Sequence, residues 1–279
     1  MCRWLAYWGS PVRLTNVLYT PVHSLIDQSL HSKLGAETTN GDGFGIGWYS
    51  DGTEEPGVFR STEPAWNDTN LRELSVHITS PLFFAHIRAA IGSSVQQTNC
   101  HPFRYQRWLW MHNGFIDGFR DIKRDLAFAV DPTLYLNISG TTDSELLFHL
   151  ALTFGLEDDP PGAVARAIGF VETLGRAHGH ESPFQGTIAT SDGDSLWAFR
   201  YSSAGQSRSL YFNRSVPQLR EMYPDMAVLR DKVADDARLV VSEPIGNLPG
   251  AWVEVPEASY GVVSKGREEL LPFAPRTPA

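Results

Sequence analysis

The sequence predicts one α+β domain in which helices cover β-sheets. Short runs rich in β-branched and aromatic residues occur towards both ends of the 279-residue chain, and segments with helical spacing of apolar residues lie between them. No internal repeat or low-complexity linker divides the chain. We therefore expect a single domain over residues 2–265, followed by a flexible tail, rich in charge and proline, over residues 266–279.

Nine segments have the composition and length of β-strands. The connection between two of them, residues 191–194, reads Ser-Asp-Gly-Asp and predicts a hairpin. The predicted strands are 3–8, 45–49, 82–88, 108–113, 185–190, 196–200, 209–212, 238–242 and 252–255.

Three segments have the pattern of helices. Thr142 and Glu145 are spaced as in a capping box, and they precede the apolar run 146–154. In segments 163–174 and 118–130, apolar residues recur every three or four positions, which places them on one face of a helix.

Composition excludes several classes of protein. The net charge is −9 and basic residues form no run, so we expect no nucleic-acid partner. No apolar stretch approaches the roughly 18 residues that a membrane-spanning helix needs, and the N-terminus does not have the pattern of a signal peptide. With two cysteines, the chain has no disulfide framework, and a reducing, cytoplasmic location is predicted.

Cys2 is the first candidate for chemistry. A residue this small after Met1 is expected to permit removal of the methionine, which would leave a thiol and a free α-amine on one residue. A free thiol titrates at about 8.5 and an N-terminal amine at about 7.7–8.0, so the amine can act as the base that activates its own side chain. A small residue at position 2 is also common in proteins without such chemistry.

Arg88 and Asp143 are candidate substrate-binding residues. Arg88 ends a predicted strand, and its guanidinium suits a bidentate contact with an α-carboxylate. Asp143 lies at a predicted helix start, where its carboxylate is available for an α-ammonium group. Simple helix capping is the alternative for Asp143, unless Thr142 caps the helix instead.

Asn113 and Gly114 are candidates for an oxyanion hole. Attack of a thiolate on an amide produces a tetrahedral oxyanion, which a side-chain amide and an unshielded backbone N–H can stabilise. The same Asn-Gly pair is also the most common hairpin signal, so a turn is the alternative interpretation.

The remaining candidates favour structure over chemistry. His86, His101 and His112 have no spacing typical of metal ligands, so we predict neither a metal site nor a cofactor. His101 precedes a proline and is expected to order a loop, and it is also a candidate substrate-binding residue. Cys100 is a rival nucleophile, but its neighbour His101 would point to the other side of an extended chain and is not a natural base.

Taken together, these residues resemble the class II glutamine amidotransferases, a family of N-terminal-nucleophile hydrolases. Two further segments, 21–29 and 64–71, are similar to the stand-alone, YafJ-like branch, which includes a fungal subunit of a glutathione-degradation complex. The segments that carry the family resemblance are 1–3, 41–45, 86–89, 98–103, 112–114, 142–145 and 242–244.

The resemblance implies a four-layer αββα sandwich and a set of roles. Cys2 would be the nucleophile, and Arg88 and Asp143 would hold the α-carboxylate and α-amine of the substrate. Asn113 with Gly114 would form the oxyanion hole. Many members of the family have a hydroxyl residue three positions after the arginine, where this chain has Ile91. Ser93 or Ser94 is then expected to substitute, or a larger γ-glutamyl compound is the substrate.

The predicted function is cysteine-dependent hydrolysis of a γ-glutamyl amide through a γ-glutamyl thioester. An acceptor enzyme or a peptidase subunit is a possible separate partner, and an oligomer is possible. One alternative is a γ-glutamyl peptide hydrolase that acts on glutathione or an ergothioneine precursor. A second alternative is a non-catalytic protein that binds glutamine or glutamate.

Overall fold

The computed structural model describes residues 2–34, 38–90, 92–227, 229 and 233–278. Within these residues, two antiparallel sheets pack face to face. The strands are β1 Arg3–Arg13, β2 Phe44–Trp48, β3 Gly57–Ser61, β4 Thr79–Ile87, β5 Phe103–Tyr105, β6 Trp108–Ile116, β7 Phe184–Ser191, β8 Leu196–Ser202, β9 Tyr211–Asn213, β10 Arg238–Val241, β11 Trp252–Glu254, β12 Ser259–Ser264 and β13 Arg267–Pro272. The helices are α1 Thr15–Leu18, α2 Leu25–Leu30, α3 Thr69–His77, α4 Phe119–Phe128, α5 Pro132–Tyr135, α6 Asp143–Thr153, α7 Pro160–Ala177 and α8 Val216–Met222.

The two sheets place the N-terminal strand at the centre of one sheet. The first sheet has the order β11-β9-β10-β1-β4-β2-β3, and the second has the order β13-β12-β8-β7-β6-β5. In β1, Trp4 and Leu5 are both fully buried because each face of the sheet is covered. Trp4 packs between the sheets, and Leu5 packs on the other face of its sheet.

Separate apolar clusters join successive layers. Helices α1 and α2 pack on the seven-stranded sheet through residues such as Leu18 and Leu25. Helices α4, α6 and α7 pack on the six-stranded sheet through residues such as Leu126, Phe148 and Ile168. The sheets themselves meet through a third cluster, so the order of layers is helices, sheet, sheet, helices. The predicted four-layer αββα sandwich is confirmed.

The structure confirms all nine predicted strands and the three predicted helices, with shifts of a few residues at their ends. The hairpin at 191–194 joins β7 to β8 as predicted. The sequence analysis missed β3, β5, β12 and β13, which are short or half-exposed and therefore lack a clear apolar alternation. It also missed the shorter helices, among them α2, although Ser24 and Asp27 form a complete capping box there.

Residues 267–273 form a strand and a buried contact, whereas the sequence predicts a flexible tail there. Residues 267–272 form the edge strand β13, which pairs with β12, and Phe273 is buried against Phe199 and Tyr260. The charged side chains of β13 face solvent, as is usual for an edge strand, and this explains why the segment reads as a tail. In the described part of the chain, no helix combines the length and apolar character needed to cross a bilayer.

Candidate active site

A cavity of about 140 Å³ opens where β1 begins, where β4 ends and where α6 begins. A larger, mainly apolar cavity of about 260 Å³ lies elsewhere in the molecule. Neither Cys2 nor Cys100 is among the described residues that line it. The smaller cavity brings together all six residues that the sequence analysis selected: Cys2, Arg88, His101, Asn113, Gly114 and Asp143.

Cys2 immediately precedes β1, and its thiol lies against the chain just beyond β4. The N–H of Ala89 donates to Cys2 Sγ at 3.3 Å, and the thiol lies 3.5 Å from the Ala89 carbonyl oxygen. Burial raises the pKa of the Cys2 thiol, and the Ala89 hydrogen bond and the Arg88 guanidinium oppose that rise only in part. A thiol with a raised pKa needs a base close by in order to react as a thiolate.

The carbonyl oxygen of Cys2 accepts hydrogen bonds from two side chains. Asn113 Nδ2, on β6 of the other sheet, donates to it at 2.9 Å, and Arg3 Nη1 donates at 3.0 Å. An amide nitrogen carries two hydrogens, so Asn113 keeps a second N–H for a ligand. The main chain of Cys2 is therefore fixed across the interface between the sheets.

Arg3 belongs to a buried ion pair that the sequence analysis did not assign. Its Nε lies 2.8 Å from Glu243 Oε2, and both side chains are at most 3% exposed. Glu243 also accepts hydrogen bonds from the backbone N–H groups of Lys33 and Leu34 and contacts His23 Nε2 at 2.6 Å. Burial alone would raise the pKa of Glu243, but these donors together lower it.

This ion pair involves one segment that carries the family resemblance and one that is similar to the stand-alone branch. Glu243 lies in the 242–244 segment, and His23 lies in the 21–29 segment, where Gln28 Nε2 also donates to the Glu243 carbonyl oxygen at 3.3 Å. Ser242 Oγ accepts from the Trp4 N–H at 2.9 Å. Both segments therefore fix the start of β1, on which Cys2 depends.

The Arg88 guanidinium is 3% exposed and is oriented by the loop that follows β4. Its Nη2 donates to Ser93 Oγ at 2.7 Å and to the Ser94 carbonyl oxygen at 3.0 Å, and its Nη1 lies 3.4 Å from the Asp42 carbonyl oxygen. Ile91, the departure from the family pattern, lies outside the described residues. Ser93 lines the cavity together with Arg88, and its replacement of the missing hydroxyl stays a prediction.

The backbone of the glycine-rich turn at 41–45 supports the backbone of Arg88. The backbone N–H of Arg88 donates to the Gly43 carbonyl oxygen at 2.8 Å. Gly43 has a φ of +108°, and a Cβ at this position would lie 2.7 Å from Cys100 Sγ. Only glycine permits both this conformation and this close approach.

Thr142 caps α6, and Asp143 is therefore available to the cavity. Thr142 Oγ1 accepts from the Glu145 N–H at 3.2 Å, which settles the capping role. The Glu145 carboxylate turns away from the cap and accepts from Ser139 and Gly140, so only half of the predicted capping box forms. Asp143 Oδ2 accepts from the Ile116 N–H at 2.9 Å, which holds the half-buried carboxylate at the end of β6.

Asn113 and Gly114 lie within a continuous strand, so the alternative of an Asn-Gly turn is wrong. Gly114 is paired with Gly186 of β7, and a Cβ on Gly114 would lie 2.0 Å from the Gln185 carbonyl oxygen. Glycine is therefore required for packing, whether or not its N–H serves as an oxyanion donor. The oxyanion-hole role of both residues stays a prediction.

The histidines near the cavity form a packed, uncharged group. His101 stacks between His86 and Phe103, with ring centroids 4.3 and 4.4 Å away. Burial lowers the pKa of His86 to about 3 and lowers the pKa of His101 well below its ordinary value. His112 is hydrogen-bonded through Nδ1 to Ser144 Oγ at 2.8 Å. Within the described residues, no group of three or more possible ligands could hold a metal ion.

Two lining residues of the cavity had no role in the sequence analysis. Phe115, 42% exposed, follows Gly114 on β6, and Arg208 lies on the connection between β8 and β9. Each is single and unremarkable in the sequence, and only the fold brings it to the cavity.

Comparisons with known proteins agree with this geometry. A family model described as glutamine amidotransferases class-II matches residues 15–272. A probable glutamine amidotransferase, DUG3, from Saccharomyces cerevisiae is 34% identical over 302 residues, which covers 98% of this chain and 84% of the yeast protein. A gamma-glutamyl-hercynylcysteine sulfoxide hydrolase from Mycolicibacterium smegmatis is 28% identical over 201 residues, or 70% of this chain and 81% of that protein.

Solved structures of amidotransferases are also similar to this chain. A glutamine aminotransferase class-II domain protein from Silicibacter pomeroyi has a TM-score of 0.75 and 34% identity, with coverage of 98% of this chain and 99% of that one. A glutamine phosphoribosylpyrophosphate amidotransferase from B. subtilis has a TM-score of 0.64 at 13% identity over 99% of this chain and 50% of that one. The second likeness concerns the fold alone.

Proposed function

Because the chain belongs to the class II glutamine amidotransferase family, we propose that Cys2 is the nucleophile of a γ-glutamyl amidohydrolase. The observation that carries the proposal is the convergence of Cys2, Arg88 and Asp143 on one small cavity. Arg88 suits the α-carboxylate of a γ-glutamyl group, and Asp143 suits its α-ammonium group. The γ-carbonyl carbon would then lie within reach of the Cys2 thiol.

The reaction proceeds in two steps. The α-amine of Cys2 takes the thiol proton, Sγ attacks the γ-carbonyl carbon, and the second N–H of Asn113 and the N–H of Gly114 stabilise the oxyanion. The C–N bond then breaks, and the amine leaves with the proton held by the Cys2 ammonium group. Water, deprotonated by the same amine, attacks the thioester, which releases glutamate and restores the thiol.

Catalysis is favoured over the alternative of a non-catalytic binding protein. A binding protein would need Arg88 and Asp143 but would not need a cysteine whose carbonyl oxygen is clamped by Asn113 and Arg3. The relatives are named as a probable glutamine amidotransferase and as a gamma-glutamyl-hercynylcysteine sulfoxide hydrolase. Both names agree with hydrolysis of a γ-glutamyl amide by this chain.

We also propose the cellular location of the enzyme and the proteins that use its products. A free Cys2 thiol requires a reducing environment, so we place the enzyme in the cytoplasm. Released ammonia would be used by a separate acceptor enzyme, and a released peptide would be used by a peptidase subunit. Association into an oligomer is compatible with either arrangement.

Release of glutamate from glutamine and from glutathione tests the proposal. The protein should be shown by intact mass to lack Met1, and a Cys2→Ala variant should be measured beside it. We expect glutamate release by the parent protein and a fall of at least about 10³-fold in the variant. Full activity in Cys2→Ala, or no release from any γ-glutamyl compound by correctly processed protein, would contradict the proposal.

A further inference from the structure

The lining of the Cys2 cavity includes a buried asparagine, Asn99, that has no part in the proposed reaction. A buried amide needs hydrogen-bond partners, because an unsatisfied polar group in the interior is costly. The partners of Asn99 belong to two segments. One is the loop that holds Arg88, and the other is the turn that leads to Asp143.

The amide nitrogen of Asn99 is joined to Arg88 through one carbonyl oxygen. Asn99 Nδ2 donates to the Ser94 carbonyl oxygen at 3.0 Å. Arg88 Nη2 donates to the same oxygen, also at 3.0 Å. A carbonyl oxygen has two lone pairs and can accept both hydrogen bonds. The position of the Arg88 guanidinium therefore depends on the position of Asn99.

The amide oxygen of Asn99 holds the segment that precedes Asp143. Asn99 Oδ1 accepts from the Thr141 N–H at 2.8 Å, and Asn99 Nδ2 donates to Thr141 Oγ1 at 3.1 Å. Asp143, the first residue of α6, follows two positions later. The turn is also held by Glu145, whose carboxylate accepts from two of its backbone N–H groups.

An asparagine suits this position because its amide both donates and accepts. The Ser94 carbonyl oxygen needs a donor, and the Thr141 N–H needs an acceptor. A carboxylate can only accept, and an ammonium group can only donate. The side chain of Asn99 thus completes a chain of hydrogen bonds from Arg88 to the turn before Asp143.

The α-carboxylate and the α-ammonium group of an amino acid are bonded to the same carbon atom. Their partners must therefore be held at one fixed separation if a substrate is to use both at once. A substrate that has only one of the two groups does not depend on that separation.

We propose that Asn99 is a positioning residue that fixes Arg88 relative to Asp143 and so determines the selectivity for substrates with both α groups. This inference rests on the proposed function, since it assigns the α-carboxylate to Arg88 and the α-ammonium group to Asp143. Asn99 acts through Ser94 and Thr141 and does not need to touch the substrate.

Hydrolysis of L-glutamine and of 4-carbamoylbutanoate, which is glutamine without its α-ammonium group, tests the inference. We expect the parent enzyme to prefer L-glutamine by about 30-fold or more in kcat/KM, because a charged partner in the cavity is lost with the analogue. In Asn99→Ala this preference should fall about tenfold, mainly through KM for L-glutamine, and kcat/KM for the analogue should change little.

Asn213→Ala is the matched control. Asn213 is also a buried asparagine that ties two backbone segments, since its Nδ2 donates to the Ala237 carbonyl oxygen at 3.2 Å and its Oδ1 accepts from the Leu239 N–H at 2.7 Å. It is not among the described residues that line the cavity. Asn213→Ala should lower stability and keep the full preference for L-glutamine.

A second variant covers a failure of Asn99→Ala to fold. Asn99→Asp keeps the size of the side chain and the acceptor for the Thr141 N–H, but places an oxygen against the Ser94 carbonyl oxygen. The preference should fall in this variant too. An equal loss of kcat/KM for both compounds in the Asn99 variants, or an equal fall of the preference in Asn213→Ala, would overturn the inference and leave the hydrolase intact.

Binding of the product decides the inference where L-glutamine is not hydrolysed. L-Glutamate and glutarate, which is glutamate without its ammonium group, should be titrated into the parent protein and the Asn99 variants by calorimetry. Tighter binding of L-glutamate that is reduced in the Asn99 variants supports the inference, even if no γ-glutamyl compound is hydrolysed and the proposed function fails. Equal binding of the two compounds by the parent protein, or binding of neither, overturns it.

Discussion

The two cysteines of this chain have opposite surroundings. Cys2 is half-exposed at a cavity, and its carbonyl oxygen is fixed by Asn113 and Arg3. Cys100 is fully buried, and its thiol points to the carbonyl oxygens of Ser61 at 3.4 Å and Gln96 at 3.7 Å. Burial raises the pKa of both thiols, so acidity does not distinguish them.

The difference lies in access and in the base. Cys100 is not among the described residues that line the cavity at Cys2. It packs against Gly43, in the glycine-rich turn that supports Arg88. Cys2 can gain a free α-amine by loss of Met1. In the proposed reaction, Cys2 is therefore distinguished from Cys100 by its cavity and by its own amine, and an intrinsically acidic thiol is not required.

The largest expected effect comes from removing the base while keeping the thiol. A lysine inserted between Met1 and Cys2 should block removal of the methionine and leave the nitrogen of Cys2 in an amide. Because general-base catalysis contributes about 10²–10⁴-fold, we expect glutamate release to fall by that factor. Intact mass and glutamate release should be measured on the same sample.

A matched control restores the amine. In a second protein, a leader that a site-specific protease cuts directly before Cys2 should give an inactive precursor and an active product. Full activity in the uncut precursor would show that another base activates Cys2, and the contrast with Cys100 would then need a different explanation.

Arg88→Ala should give the next largest effect. Its guanidinium is held by Ser93 and Ser94 and faces the same cavity as Cys2. Loss of a charge-assisted bidentate contact with the α-carboxylate should raise KM and lower kcat/KM by about 10²-fold. Ser93→Ala should also raise KM and lower kcat/KM, by a smaller factor. An unchanged kcat/KM in Arg88→Ala would show that Arg88 does not bind the substrate.

Glu243→Gln tests whether the charge of the Arg3–Glu243 ion pair stabilises the start of β1 beside Cys2. The variant removes the carboxylate that Glu243 provides to the buried Arg3 guanidinium, which should lower the free energy of unfolding by about 3 kcal/mol. Because the pKa of Glu243 is lowered in the folded protein, its stabilisation is present above its unfolded pKa of about 4.3 and is lost as pH falls through the folded value.

Urea unfolding of the parent protein and Glu243→Gln at pH 7 and below about pH 4 measures this difference. We expect the two proteins to differ most at pH 7 and to converge in acid. A difference that does not depend on pH would mean that packing of the side chain, and not its charge, supports the start of β1.

The sequence predicts the layers of this fold because each core strand and long helix has its own apolar pattern. It also identifies Cys2, Arg88 and Asp143, which lie at strand ends or a helix start, and Asn113, which lies within β6. It does not predict Arg208 or the Arg3–Glu243 pair, because these side chains come from segments far apart in the chain. No local pattern of residues encodes a contact between positions 3 and 243; only the pairing of β1 with β10 produces it.

Cys100→Ala is the smallest change and completes the comparison. The sulfur is fully buried, and its removal leaves a small void beside Gly43, so we expect a loss of about 1 kcal/mol in the free energy of unfolding. Turnover should remain close to that of the parent protein, because the thiol neither lines the cavity nor neighbours the amine of Cys2. Urea unfolding and kcat, measured beside Cys2→Ala, separate the two roles. A loss of turnover as large as that in Cys2→Ala, at unchanged stability, would transfer the nucleophile to Cys100, because a packing defect alone would reduce stability first.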